Sequence, residues 1–177
     1  MFGKHRKNTI EEQASYMRDF VLSANDGIIT TFAVVAGAQG ANLAPRVVII
    51  LGVANLVADA ISMASGSYLS QESEDQIKAL SKSFIKHHSN LLKHALITFL
   101  SFVIAGIVPL LPFIFSSDNA FYFSVAMVVI SLMGLGFARS IAIKKGYVRS
   151  ILETSIVGSL TAFLAFSVGK LLESLVR

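Results

Sequence analysis

The stretch Arg46-Val-Val-Ile-Ile-Leu-Gly-Val-Ala-Asn-Leu-Val-Ala-Asp-Ala-Ile-Ser-Met-Ala-Ser-Gly-Ser-Tyr-Leu69 decides the fold, because after its opening arginine the only charged side chain is Asp59. At 1.5 Å per residue a helix of this length crosses a hydrocarbon core of about 30 Å. Four more apolar runs of similar length flank it, near Phe20 to Ala41, Ala95 to Phe115, Ala120 to Ser140 and Ser150 to Leu172. The 177-residue chain is 54% hydrophobic and only 15% charged, too little charge to coat a water-soluble globule of this size. The reading is an all-α polytopic membrane protein, a bundle of five transmembrane helices whose surroundings are a lipid bilayer.

The connections agree with that division. Asn42-Leu-Ala-Pro45 and Ser116-Ser-Asp-Asn119 read as tight turns, and Lys144-Lys-Gly146 separates the last two spans. Pro109 and Pro112 fall inside the third span and are expected to kink it. Residues 1–19 read as an N-terminal segment outside the membrane, 20–69 as a hairpin of two spans, 70–94 as a connection and 95–177 as the last three spans. Within the connection Ile77, Leu80, Phe84, Leu91 and Leu92 recur at helical spacing, which predicts a short amphipathic helix on the membrane surface.

Charge sets the orientation, since cytoplasmic flanks retain Lys and Arg during insertion. With five alternating spans one side receives Lys4, Arg6, Lys7, Arg18, Lys78, Lys82, Lys86, Lys93, Arg139, Lys144, Lys145 and Arg149, whereas the other receives Arg46, Lys170 and Arg177. The N-terminus is therefore expected in the cytoplasm. Basic residues placed as topology signals between apolar runs give no nucleic-acid face. A basic start, an apolar run and Ala36-Gly-Ala38 imitate a cleavable leader, but the segment before the run is long and Asn25 and Asp26 interrupt it. The shortness of the chain makes a prokaryotic inner membrane the simpler expectation, with an organelle such as the vacuole as the eukaryotic alternative.

Function is carried by polar residues within the spans, because a carboxylate in the bilayer costs about 2.5 to 3.5 kcal/mol on insertion scales and persists where it is paired or used. Asp26 lies about two turns into the first span, beside Asn25 and below Thr30. On the second span Asn55, Asp59 and Met63 follow at i, i+4 and i+8 and share one helix face. Counting inward from span ends puts Met63 and Asp26 at a common depth of about 9 Å at 1.5 Å per residue, where they can meet. Hard oxygen beside soft sulfur suits a borderline divalent ion such as Fe2+. Bland alternatives stand beside each: Met63 as core packing, Asp26 as a hydrated or capping residue, and Asp59 in a buried hydrogen bond to Asn25 or Asn55. Further metal candidates are Glu72, Glu74 and Asp75 in the connection and Glu153 early in the last span. His87, His88 and His94 are read as interfacial polar residues, since adjacent helical side chains point about 100° apart and chelate one ion poorly. The small residues Gly27, Gly37, Gly40, Gly52, Gly66 and Gly134 favour close helix contact.

The run Leu22-Ser-Ala-Asn-Asp-Gly27, followed by Ala58-Asp-Ala-Ile-Ser-Met-Ala-Ser-Gly-Ser-Tyr-Leu69, resembles the paired signature of the vacuolar iron transporter family, and the Gly134-Leu-Gly-Phe-Ala-Arg-Ser140 segment with Gly158 and Gly169 extends the likeness over nearly the whole chain. The resemblance implies a homodimer of five-helix protomers with its ion path at the subunit interface. It also implies export of Fe2+ or Mn2+ from the cytoplasm against protons, with no tightly bound cofactor. By motif position it nominates Asp26 and Met63 as path residues. The chain departs from the larger members at Ser67, where they carry glutamate, and in a connection too short for their glutamate-rich metal-binding domain. A non-transporting membrane scaffold is the alternative. No His-Glu-x-x-His or Gly-x-Ser-x-Gly motif suggests an enzyme.

Overall fold

The computed structural model describes residues 2–80, 90–115, 119–143 and 147–176, which are almost entirely helical. In chain order α1 spans Phe2–Gly40, α2 Pro45–Leu80, α3 Leu91–Gly106, a 3-10 turn Val108–Leu110, α4 Leu111–Ile114, α5 Ala120–Ile143 and α6 Tyr147–Val176. Five segments are long and apolar enough to cross a membrane: Glu12–Gly40, Pro45–Ile77, Leu91–Ile114, Ala120–Ser140 and Ser155–Leu175. They coincide with the five runs read from sequence.

Two helices outrun their apolar cores. Neither Gly nor Pro occurs between Lys4 and Asp26, and none interrupts residues 67–80, so nothing in the backbone stops either helix at the membrane surface. Residues 2–19 therefore form the first half of α1. Likewise residues 70–80 continue α2 without a break and do not begin a separate surface helix. Residues 81–89 of that expected helix, with Phe84, His87 and His88, lie outside the described residues, and its Leu91 and Leu92 instead open α3.

The turn between α1 and α2 is built by Asn42, the one described non-glycine residue with positive φ, at 53°. Leu43 N–H bonds back to the Ala38 carbonyl at 2.9 Å and Asn42 N–H to the Gln39 carbonyl at 3.1 Å, closing α1 in a left-handed cap before Pro45 opens α2. Asn90 caps α3 by accepting from Lys93 N–H at 3.2 Å. At Pro109 and Pro112 the third span breaks into the 3-10 turn and α4, the expected kink. Ser124 of α5 donates to the Pro109 carbonyl at 2.7 Å and replaces a bond the broken helix cannot make.

Helix α1 is the axis of the bundle and packs against α2, α3, α5 and α6. Along α3 it runs parallel at a constant offset of 75 positions: Asp19 meets His94, and a Cβ placed on Gly27 would lie 2.5 Å from the Phe102 carbonyl. One turn up, a Cβ on Gly106 would lie 3.1 Å from Thr31 Oγ1. Against α6 the fit is as close, since a Cβ on Gly169 would overlap the Gly37 carbonyl. In lipid, where apolar surface gains nothing by leaving the solvent, such backbone contact is what holds helices together. Phe32, Val35, Val48, Leu110, Val128 and Leu132 fill the space between the helices.

Candidate functional site

The α1–α2 hairpin places its two acids by simple register. Asp26 precedes Gly40 by as many residues as Asp59 follows Pro45, so both stand roughly 21 Å from the turn at 1.5 Å per residue. The two half-buried carboxylates, one from each helix, are near enough to repel one another electrostatically. Asn55 sits one turn before Asp59 on the same face and donates its side-chain N–H to Asp59 Oδ2 at 2.7 Å. That bond fixes one carboxylate oxygen of Asp59. Thr30, one turn from Asp26, donates to the Asp26 backbone carbonyl at 2.8 Å and not to its carboxylate. Neighbouring Asn25 buries its side-chain oxygen without a hydrogen-bond partner, as does Thr31 with its hydroxyl. Polar atoms left open at this depth are ready for a ligand or water.

Met63 stands one turn past Asp59, nearer the protruding end of α2. Its side chain packs against Leu56, Ala60 and Phe102, beside Phe99 and Val103. The level shared with Asp26 thus belongs to Asp59 and not to Met63. Counting from Leu69 misplaces Met63 because α2 does not end there.

The remaining candidates are dispersed. Glu72 and Asp75 are half-buried on the α2 extension, with Glu74 exposed, and Glu72 lies roughly 20 Å along the helix from Asp59 at 1.5 Å per residue. Glu153 is engaged by Arg139 of α5 at 3.8 Å and lies nearly two turns into α6, beyond its first turn. Among the described residues no three His, Asp or Glu side chains gather where they could hold an ion.

One constellation escaped the sequence reading. His94, 2% exposed, is buried within the bundle, where its Nδ1 lies 2.5 Å from Asp19 Oδ2. The Tyr16 ring packs on the imidazole with centroids 4.5 Å apart, and Lys93 Nζ stands 4.3 Å over the other ring. Above the pair, Ser23, Thr98 and Ser101 are also buried, so a polar seam climbs between α1 and α3 toward Gly27 and Asp26. The sequence does carry the signal: Asp19, Ser23 and Asp26 at i, i+4 and i+7, and His94, Thr98 and Ser101 at the same spacing.

Five spanning helices with two acids at one level of the apolar zone define an integral membrane protein with polar residues on its first two spans. A model of the VIT family matches residues 17–83 and 79–170, most of the chain, and the protein belongs to that family. It is 30% identical over 172 residues to vacuolar iron transporter homolog 4 of Arabidopsis thaliana, covering 92% of this chain and 87% of the relative. With the vacuolar iron transporter of Centaurea cyanus it shares 24% identity over 212 aligned residues, 87% of this chain and 86% of the relative. A shorter match, 43% over 72 residues, joins it to the vacuolar iron transporter of Toxoplasma gondii (strain ATCC 50861 / VEG), covering 41% of this chain and 24% of that protein. The family match divides at residues 79–83, in the stretch leading from α2 to α3. These relatives are eukaryotic and lend no support to a prokaryotic inner membrane.

Proposed function

We propose that this protein transports divalent transition-metal ions, Fe2+ or Mn2+, out of the cytoplasm along a path that passes Asp26 and Asp59, in exchange for protons. The observation that carries the reading is the pair itself: two carboxylates from different helices, level with each other in the apolar zone, one oriented by Asn55. Membership of the VIT family and relatives named vacuolar iron transporters support metal ions as the cargo. Oxygen ligands alone suit Mn2+ as well as Fe2+, and Met63 joins the path one turn nearer the cytoplasm if its thioether swings from the packed cluster. Two carboxylates held close together favour the company of positive charge, so a divalent ion and protons compete for the same pair, which is the chemistry an exchanger needs.

Two carboxylates do not fill the coordination sphere of a divalent ion, and a second copy of the chain supplies two more. The face of α2 beside Asn55 and Asp59 suits such a homodimer: Ala54, Ala58, Ser62 and Gly66 recur every fourth residue and all are exposed. Reconstitution tests the reading. Purified protein in liposomes should carry Fe2+ or Mn2+ at a rate set by an imposed proton gradient, and Asp26→Ala and Asp59→Ala should abolish flux while leaving a folded dimer. Folded protein that moves neither ion would favour the scaffold.

A further inference from the structure

A cavity of about 730 Å³ opens between α1, α5 and α6, away from the α1–α2 acids. Its walls are apolar, with Leu22 of α1, Leu135 of α5 and Val157 of α6 among them, and its rim carries Arg18, Arg139 and Glu153. The rim lies at a defined depth. Arg18 is roughly 33 Å from Gly40 along α1 and Arg139 roughly 29 Å from Ala120 along α5, at 1.5 Å per residue, so both guanidiniums sit where a hydrocarbon core of about 30 Å ends. The same end of the bundle carries most of the basic residues.

The geometry points to a binding site for one anionic glycerophospholipid, its phosphate held between Arg18 and Arg139 and one acyl chain lying over Leu22, Leu135 and Val157. The cavity lining carries two guanidiniums and one carboxylate, while Asp19, the acid beside Arg18, is buried against His94. Arg139 gives part of itself to Glu153 at 3.8 Å. The Arg18 side chain is 63% exposed and makes long contacts, 3.4 Å from Nε and from Nη2 to Asp19 Oδ1 and 3.5 Å from Nη2 to Ser15 Oγ, which leaves the two Nη1 donors for a phosphate. Arg18 and Asp19 are adjacent in sequence, and Asn25 lines the inner wall beside Asp26. A lipid seated here therefore bears on α1 at the level where α1 carries its polar seam and its path acid.

The chain contains no tryptophan, so Leu22→Trp supplies a single fluorophore inside the cavity. The reporter protein, reconstituted in vesicles of phosphatidylcholine, is titrated with phosphatidylglycerol brominated on its acyl chains and, separately, with brominated phosphatidylcholine. The expected result is quenching by the anionic lipid at a mole fraction about fivefold lower, the factor a single surplus charge near the surface gives. Arg18→Gln, whose exposed guanidinium the fold does not need, should erase the preference, and Glu153→Gln should enlarge it. Equal quenching by the two lipids, a preference that survives Arg18→Gln, or a tryptophan shielded from both because a second copy of the chain covers the groove would each overturn the proposal. The readout requires no metal flux, so it stands or falls apart from the transport reading.

Discussion

Asp19 and His94, 75 positions apart in sequence, form a buried pair at 2.5 Å that locks α1 to α3 in parallel register. Removing one partner strands the other in a medium that cannot solvate it. His94→Ala is expected to destabilise the protein by about 3 to 5 kcal/mol, as breaking a buried pair does, and the double variant Asp19→Leu with His94→Leu by much less. Thermal unfolding in detergent checks this. A double variant as unstable as the single would assign the loss to packing.

On the proposed path Asn55 acts through Asp59. Asn55→Leu preserves the size of the side chain and deletes the donor at 2.7 Å, so the carboxylate loses its fixed orientation. Groups that orient a metal ligand are worth about 10- to 100-fold in affinity. The half-saturating metal concentration in liposome flux should rise by that order with assembly unchanged. Asp59→Asn should stop flux altogether.

Backbone contact predicts where bulk is not tolerated. Gly169→Ala forces a methyl group onto the Gly37 carbonyl, and Gly27→Ala one onto Phe102. Each is expected to lose about 1 to 3 kcal/mol, the usual penalty of overfilling a packed interface. Gly66→Ala and Gly134→Ala meet open space and should leave the monomer's stability unchanged. Melting temperatures of the four variants give the contrast directly.

At the hairpin turn, Asn42→Gly should be tolerated, whereas Asn42→Val places a branched side chain at φ 53° and is expected to cost about 1 to 2 kcal/mol. Chemical denaturation of the two variants separates them.

The five spans were legible because lipid imposes length and hydropathy on every crossing helix, and the acids were legible because charge there is rare. What sequence did not disclose was register between helices. Met63 seemed level with Asp26 while Leu69 stood for the end of α2; the helix in fact runs on to Leu80, and the turn, not the far end, is the fixed point. His94 looked interfacial because its chain neighbours include Lys93 and the His87-His88 pair. Its burial follows from the fit of α3 along α1, and no property of the local sequence records that fit. Glu153 read as a metal candidate early in the last span, and Arg139, on the preceding span, engages it.

The tight turn at Asn42 and Pro45 has a mechanical consequence for the two path acids. A hairpin closed by a left-handed residue and a proline cannot slide one arm along the other, since even a one-residue slip of about 1.5 Å would unmake the cap. Asp26 and Asp59 therefore stay level through any working cycle. On the proposed path the gap between them changes only by swinging or twisting of α2 about the turn, which would meter cargo by angle and not by stroke.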